Sequence, residues 1–176
     1  MTIKKNALTD RMTSYSTIRP FRKNDIEFVI SRQLSLYALE YGFTSEIWRA
    51  YLTGGVRTFV NQFDEKKDCM YILEQHGVPS GSVAITHVDE VTSQLRFFFL
   101  EPEARGRGAG RNLLDRAIDF CRETKYEHVF LWTFSTLMAA RHLYAGKGFR
   151  ITDTRVNDDW GQSILEERWD LDLSFF

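Results

Sequence analysis

Ten residues, Glu103 to Asn112 in the run "EARGRGAGRN", carry three arginines and three glycines, a composition suited to holding phosphate. Glycine lets backbone N–H groups approach a ligand closely, and arginine adds mobile cationic donors. The glycine spacing discriminates among phosphates. The dinucleotide fingerprint GxGxxG fails, because a frame starting at Gly106 and Gly108 would need its third glycine where Arg111 stands. The triphosphate loop GxxxxGK[ST] fails too, since no Lys-Ser or Lys-Thr follows these glycines.

A physical reading survives both tests. An apolar strand pattern ends at Leu100, a short loop follows, and a helical pattern starts at about Gly108. The first N–H groups of a helix have no intrahelical partner and carry partial positive charge. The backbone from Arg107 through Gly108, Ala109 and Gly110 to Arg111 then forms a cradle for pyrophosphate, with the Arg105, Arg107 and Arg111 side chains as outer cations.

The elements that must position this cradle follow from periodicity. "STIRPFRKNDIEFVISRQLSLYALEYG" reads as a short strand and then a helix with Asn24 as N-cap; Ile26, Val29, Ile30, Leu34 and Tyr37 fall at helical spacing, and Gly42 stops it. A second helix follows in "SEIWRAYLTGGVRTFVNQF", capped by Ser45 and kinked or divided at Gly54-Gly55. The period then changes to three strand-like runs, Cys69 to Glu74, Gly81 to Val88 and Gln94 to Leu100, with turns at His76 to Ser80 and at Asp89-Glu90. After the glycine-rich loop, Leu113, Leu114, Ala117, Ile118 and Cys121 mark a helix face, "EHVFLWTF" a strand, and "TLMAARHLYAG" a helix closed by Gly146 or Gly148. "FRITDTRV" and "LEERWDLDL" read as a terminal antiparallel pair. The fold class is α/β, with an antiparallel first half and a β-loop-α-β unit in the second.

Composition narrows the function. The 176 residues are 43% hydrophobic and 14% aromatic, enough for one compact domain from Ser16 to Phe176 behind a flexible segment, residues 1–15, with few apolar side chains. With 23 basic against 24 acidic residues there is no field to draw the chain onto nucleic acid. No apolar run reaches the roughly 20 residues that cross a bilayer, and the polar start lacks the core of a signal peptide, so a cytoplasmic protein without a membrane partner is expected. Cys69 and Cys121 read as buried reduced thiols, and His76, His87, His128 and His142 lack metal-ligand spacing, so no metal is expected.

The string "RGRGAGRNLL" resembles the R/Q-x-x-G-x-G/A signature of the GNAT superfamily of N-acetyltransferases, with Arg105, Gly108 and Gly110 at the signature positions. "FLEPEARGRGAG" resembles that family's strand-four ending, and "AARHLYAGKGF" its later A-x-x-L-Y-x-x-x-G-F helix and turn. Within the superfamily, "YGFTSE", "QLRFFFLEPEARGRGAG" and "FLWTFSTLMAARHLY" are similar to the acetyltransferase half of fusions with winged-helix regulators of the MarR type. The resemblance implies a central mixed, mainly antiparallel sheet flanked by helices, in which parallel strands four and five, here Gln94 to Leu100 and Glu127 to Phe134, splay apart. It also implies acetyl-CoA as acyl donor, a primary amine, most simply of a small molecule, as acceptor, direct attack in a ternary complex, and a homodimer.

By the same resemblance, a backbone N–H near Leu100 holds the developing oxyanion and Tyr144 serves the departing thiolate. For the base, strand four has Arg96 where many relatives carry glutamate. Glu40 is the preferred candidate, with Glu46, Glu101 and a water chain as alternatives. Arg96 faces either the acceptor or the opposite side of the sheet; facing inward, it calls for a carboxylate or phosphate on the acceptor. Trp132, with Tyr41, Phe43 and Trp48, either lines an apolar wall or packs in the core. The missing strand-four acid, and Leu137 where relatives carry asparagine, support a second reading: a non-catalytic acyl-CoA sensor.

Overall fold

In a computed structural model that describes residues 16–174, the strand and helix order matches the order of the periodic segments. The flexible segment expected at residues 1–15 lies outside the described residues. Strand β1 (Ser16–Pro20) leads into helix α1 (Asp25–Tyr41), then α2 (Glu46–Asn61), β2 (Cys69–Gln75), β3 (Val78–His87) and β4 (Thr92–Leu100). A single 3₁₀ turn at Pro102–Ala104 precedes α3 (Ala109–Glu123), followed by β5 (His128–Phe134), α4 (Met138–Gly146), β6 (Arg150–Asn157) and β7 (Ile164–Asp172).

The seven strands form one sheet in the order β1-β2-β3-β4-β5-β7-β6. Neighbours are antiparallel except β4 and β5, which run parallel. The terminal pair expected from sequence is present, and β7 takes the inner place beside β5, leaving β6 on the edge.

Both faces of the central strands are buried, so β2 reads as a continuous apolar run. Met70, Ile72, Ala84 and Phe97 pack under α1 and α2 with Val29, Leu52, Val56 and Phe59. Tyr71, Leu73, Val83, Ile85 and Leu131 pack on the other face with Leu113, Leu114, Ala117 and Cys121 of α3 and Tyr144 of α4.

Several local expectations need correction. Asn24 makes no side-chain cap; Asp25 instead accepts from the Arg22 N–H at 2.6 Å and pairs with Arg19 at 2.7 Å. Ser45 does cap α2, accepting from Trp48 N–H at 3.1 Å. The Gly54-Gly55 pair does not divide that helix into two elements; its apolar stripe stays buried on both sides of the pair. The β2–β3 turn is shorter than expected: His76 and Gly77 sit at φ 52° and 78°, the two left-handed residues that a tight hairpin of matching twist requires.

Candidate active site

Parallel pairing of β4 and β5 lasts for three residue pairs, Thr92 with His128, Ser93 with Val129 and Gln94 with Phe130. Beyond them the strands separate, so the facing edges of Leu95–Leu100 and Leu131–Phe134 have no strand partner on that side. Free backbone groups on a strand edge can bond an extended ligand as an added strand would.

A bulge in β4 sits at this opening. Ser82 pairs with Phe99 and Ala84 with Arg96, so β4 carries one extra residue, and Phe97 takes φ 52°. Ser82 Oγ donates to Phe97 O at 2.6 Å and holds the bulge. An aromatic residue in the left-handed region stores roughly 1–3 kcal/mol, tolerated where the surroundings over-determine it. Its consequence is directional: Arg96 and Phe97 both lie against Gly55 on the α1–α2 side, while Phe98 and Leu100 turn toward α3. Arg96 therefore faces the α1–α2 side.

Two cavities meet at the opening. The larger, 390 Å³, is lined by Leu100, Arg105, Gly106, Gly108, Gly110 and Arg111 together with Glu40, Tyr41 and His142. The smaller, 120 Å³, is lined by Arg96, Trp132, Tyr144 and Glu166 with Gln33, Trp48 and Trp160. Tyr37, Phe98, Leu137 and Ala140 line both and form the junction.

The loop has the geometry of an anion cradle. Gly106 and Gly108 take φ 74° and 80°, the left-handed region that favours glycine, in the loop before α3. The first helical bond runs from Asn112 N–H to Gly108 O at 3.0 Å, leaving the N–H groups of Ala109, Gly110 and Arg111 without helical acceptors. Gly110 answers a different need: a Cβ there would lie 2.9 Å from Leu100 Cδ1 and 3.1 Å from Leu143 Cδ1. These donors, with the unpaired strand edges, suit a ligand that carries a pyrophosphate and an amide-bearing arm.

The site residues expected from sequence divide between the cavities. Arg107 is exposed and Ala109 buried, and neither side chain lines the larger cavity; only their backbone can take part. Arg105 donates to Leu100 O at 2.9 and 3.1 Å and pairs with Glu40 at 2.7 Å. Glu40 thus lies on the glycine-loop side, away from the cleft that holds Arg96, because α1 turns its last polar residue toward the loop. Glu101 is bound by Arg32 at 2.6 Å and Glu46 faces solvent; neither lines a cavity.

Trp132 lines the cleft under the Arg155 guanidinium, 4.2 Å above its ring, and Arg155 pairs with Glu166 at 2.5 Å. Phe43 packs in the core, Trp48 is buried yet lines the cleft, and Tyr41 lines the larger cavity.

Burial sets the phenols. It pushes Tyr37 up to about 12, partly opposed by a hydrogen bond from Gln33. Tyr144 is pushed up further, by burial first and by nearby Tyr37 second. Both therefore hold their protons at neutral pH and act as donors.

Sequence reasoning missed Tyr37, Gln33, Glu166 and His142 as site residues. Gln33 carried a readable signal: it interrupts the apolar stripe of α1 one turn before Tyr37, and a polar residue in such a stripe is either paired or functional. Glu166 carried none, since its place depends on β7 lying beside β5.

Comparison with known proteins agrees with this geometry. The profile of the Acetyltransferase (GNAT) family matches residues 34–149. Among curated relatives, human N-acetyltransferase 8B is 26% identical over 141 residues, spanning 74% of this chain and 62% of its own length. Human N-acetylaspartate synthetase is 26% identical over 137 residues, spanning 70% of this chain and 45% of its own. The chain thus covers less than two thirds of either relative. Among solved structures, the Salmonella typhimurium yncA protein, determined with its cofactor acetyl-CoA, superposes with a TM-score of 0.72 at 19% identity, covering 90% of this chain and 94% of that one.

Proposed function

Since the chain belongs to the Acetyltransferase (GNAT) family, we propose that it is an N-acetyltransferase moving an acetyl group from acetyl-CoA to a primary amine of a small molecule by direct attack in a ternary complex. The observation that carries this reading is the junction: Tyr37 and Phe98 line the point where the phosphate-suited cavity opens, between β4 and β5, into the cleft of Arg96 and Trp132, and Tyr144 lines that cleft. Acetyl-CoA, when bound, supplies an activated thioester.

The residues have distinct tasks in this proposal. The N–H groups from Arg107 to Arg111, with the Arg105 and Arg111 side chains, hold pyrophosphate. The free edge of β4 near Leu100 offers backbone donors to a developing oxyanion. Tyr144, protonated by burial, donates to a departing thiolate. Glu40 is moved by its pairing with Arg105 from base to support of the loop. Glu166 is the carboxylate lining the cleft, and we assign it the proton of the attacking amine.

The names of these relatives give no common acceptor, which leaves the amine open. A cytoplasmic site of action, a homodimer and the narrower kinship with MarR-type fusions belong to this proposal. Cys69 and Cys121 are both buried and free, in keeping with a reducing compartment. Among the described residues no helix is long and apolar enough to cross a membrane.

Titration with acetyl-CoA followed by thiol release across a panel of amines tests the reading. Micromolar binding and amine-dependent thiol release are expected. Binding without release from any amine would favour the sensor alternative, and absence of binding would sink both.

A further inference from the structure

We propose that the acceptor is an amine bearing a carboxylate, with Arg96 as the carboxylate anchor, the indole N–H of Trp48 as a second donor, and Gln33 Oε1 as acceptor for the amine end. This rests on the acetyl-transfer reading and names its substrate class.

Arg96 carries the charge argument. Among the described residues it has no ion-pair or hydrogen-bond partner; its guanidinium lies 4.6 Å from the Phe97 ring and against Gly55. The other charged groups of the cleft neutralise one another, since Glu166 is paired with Arg155. The cleft therefore presents one uncompensated cation. A planar fork of donors with a single charge matches a carboxylate better than a phosphate dianion, which calls for a second cation.

Two further atoms point the same way. Of three buried side-chain polar atoms without a partner among the described residues, Gln33 Oε1 and Trp48 Nε1 both belong to residues lining this cleft. Those residues are 5% and 4% exposed, and an unmade bond at such a site costs about 1–3 kcal/mol unless something else completes it. One is an acceptor and the other a donor. A bound amino carboxylate supplies both counterparts: an N–H for Gln33 and an oxygen for Trp48.

Their arrangement orients the ligand. Gln33 lines the cleft together with Tyr37, which also lines the junction, so the amine end lies on the side where the acyl group arrives. Arg96 lines the smaller cavity and not the larger, and lies against Gly55 of α2. Gly55 makes room for it, because a Cβ there would stand 2.7 Å from Arg96 Nη2. A glycine inside a helix costs about 1 kcal/mol relative to alanine, so its place opposite this guanidinium has a local reason. Trp48 stacks on Tyr37 at 5.2 Å and meets Trp160 at 4.9 Å, giving the carbon body of the acceptor an aromatic wall.

The test uses matched acceptors: amino acids of several sizes, their primary amides, and the amines that remain when the carboxylate is removed, with O-phosphoethanolamine as the phosphate probe. Wild-type protein should release thiol fastest with the acids. Arg96→Gln should lower kcat/KM for the acids by about 10- to 100-fold while changing that for amides and plain amines by less than about 3-fold and leaving KM for acetyl-CoA unchanged. Gly55→Ala, which keeps the charge and favours the helix, should raise KM for the acids alone. Equal use of acid, amide and amine by wild type, equal loss for all three in Arg96→Gln, or preference for the phosphate probe would each overturn the anchor while leaving acetyl transfer standing.

Lack of thiol release with every acceptor would instead refute acetyl transfer. Ligand-observed NMR with the same matched pairs then reads the anchor directly: binding that needs the carboxylate and is lost in Arg96→Gln upholds it, and binding indifferent to either change overturns it.

Discussion

Arg105 and Glu40 form an ion pair at 2.7 Å in the wall of the larger cavity, and the same guanidinium donates twice to the Leu100 carbonyl. The pair ties the end of α1 to the end of β4. It is partly exposed, so its worth to stability is below about 1 kcal/mol, and its effect belongs to the loop. Glu40→Gln should leave the melting temperature within a few degrees and raise KM for acetyl-CoA several-fold, with the pH profile of kcat unchanged. A displaced acidic limb in that profile would restore Glu40 as base.

The two loop glycines should fail in different ways. Gly108 sits at φ 80° with open space around it, so Gly108→Ala strains the backbone by about 1–2 kcal/mol without a clash. Gly110→Val drives atoms into Leu100 and Leu143, an overpacking of about 1–3 kcal/mol. Calorimetry should show weaker acetyl-CoA binding in both, and only the Gly110 variant should also lose cooperative thermal unfolding at its normal temperature.

Tyr144→Phe should spare acetyl-CoA affinity and lower kcat by about 10- to 100-fold, the loss of one positioned proton donor. Burial holds the Tyr144 phenol above its ordinary value, so wild-type kcat should not fall near pH 10 through this group. Equal loss of binding and turnover would make Tyr144 a packing residue.

Glu166→Gln addresses the amine proton. Its partner Arg155 is more than half exposed and tolerates the loss, so the fold should persist. At neutral pH the rate should drop by about 100-fold, and alkaline pH, which deprotonates the amine in solution, should recover much of it. A rate insensitive to this change at all pH values would assign the proton to water.

Stability should form a plateau with two edges. The Arg19 hydrogen bond holds Asp25 below its ordinary 3.8, so its contribution is present above that pH and lost as pH falls through the lower folded value. Burial pushes Cys121 from 9.0 up to about 12 and Tyr37 from 10.0 up to about 12, so their contributions are present below pH 9 and pH 10 and lost as pH rises toward 12. Urea midpoints measured across pH should decline at both edges; Asp25→Asn should flatten the acid edge and cost about 1–3 kcal/mol, since Arg19 keeps its pairing with Glu74.

The parts legible in the sequence were those set by neighbours along the chain. Period-two and period-3.6 runs marked the strands and helices, Ser45 marked a cap, and the spacing of Arg105, Gly108 and Gly110 marked the cradle, because one turn of backbone decides where an N–H points. Asn24 and Gly54-Gly55 misled for the converse reason: Asp25 is drawn to Arg19 of β1, and the buried stripe of α2 outweighs the weakness of two glycines.

Sequence alone determined the order of elements, the phosphate-suited loop and the Tyr144 register. The direction of Arg96, the pairing of Glu40 with the loop, and the arrival of Gln33, Trp48 and Glu166 in one cleft were decided only by tertiary structure. Strand alternation phases a side chain only while the pairing stays regular, and one extra residue at Phe97 resets it. The bulge, the splay that begins after Gln94, and the placing of β7 beside β5 are pairings between distant segments, and no local spacing encodes them.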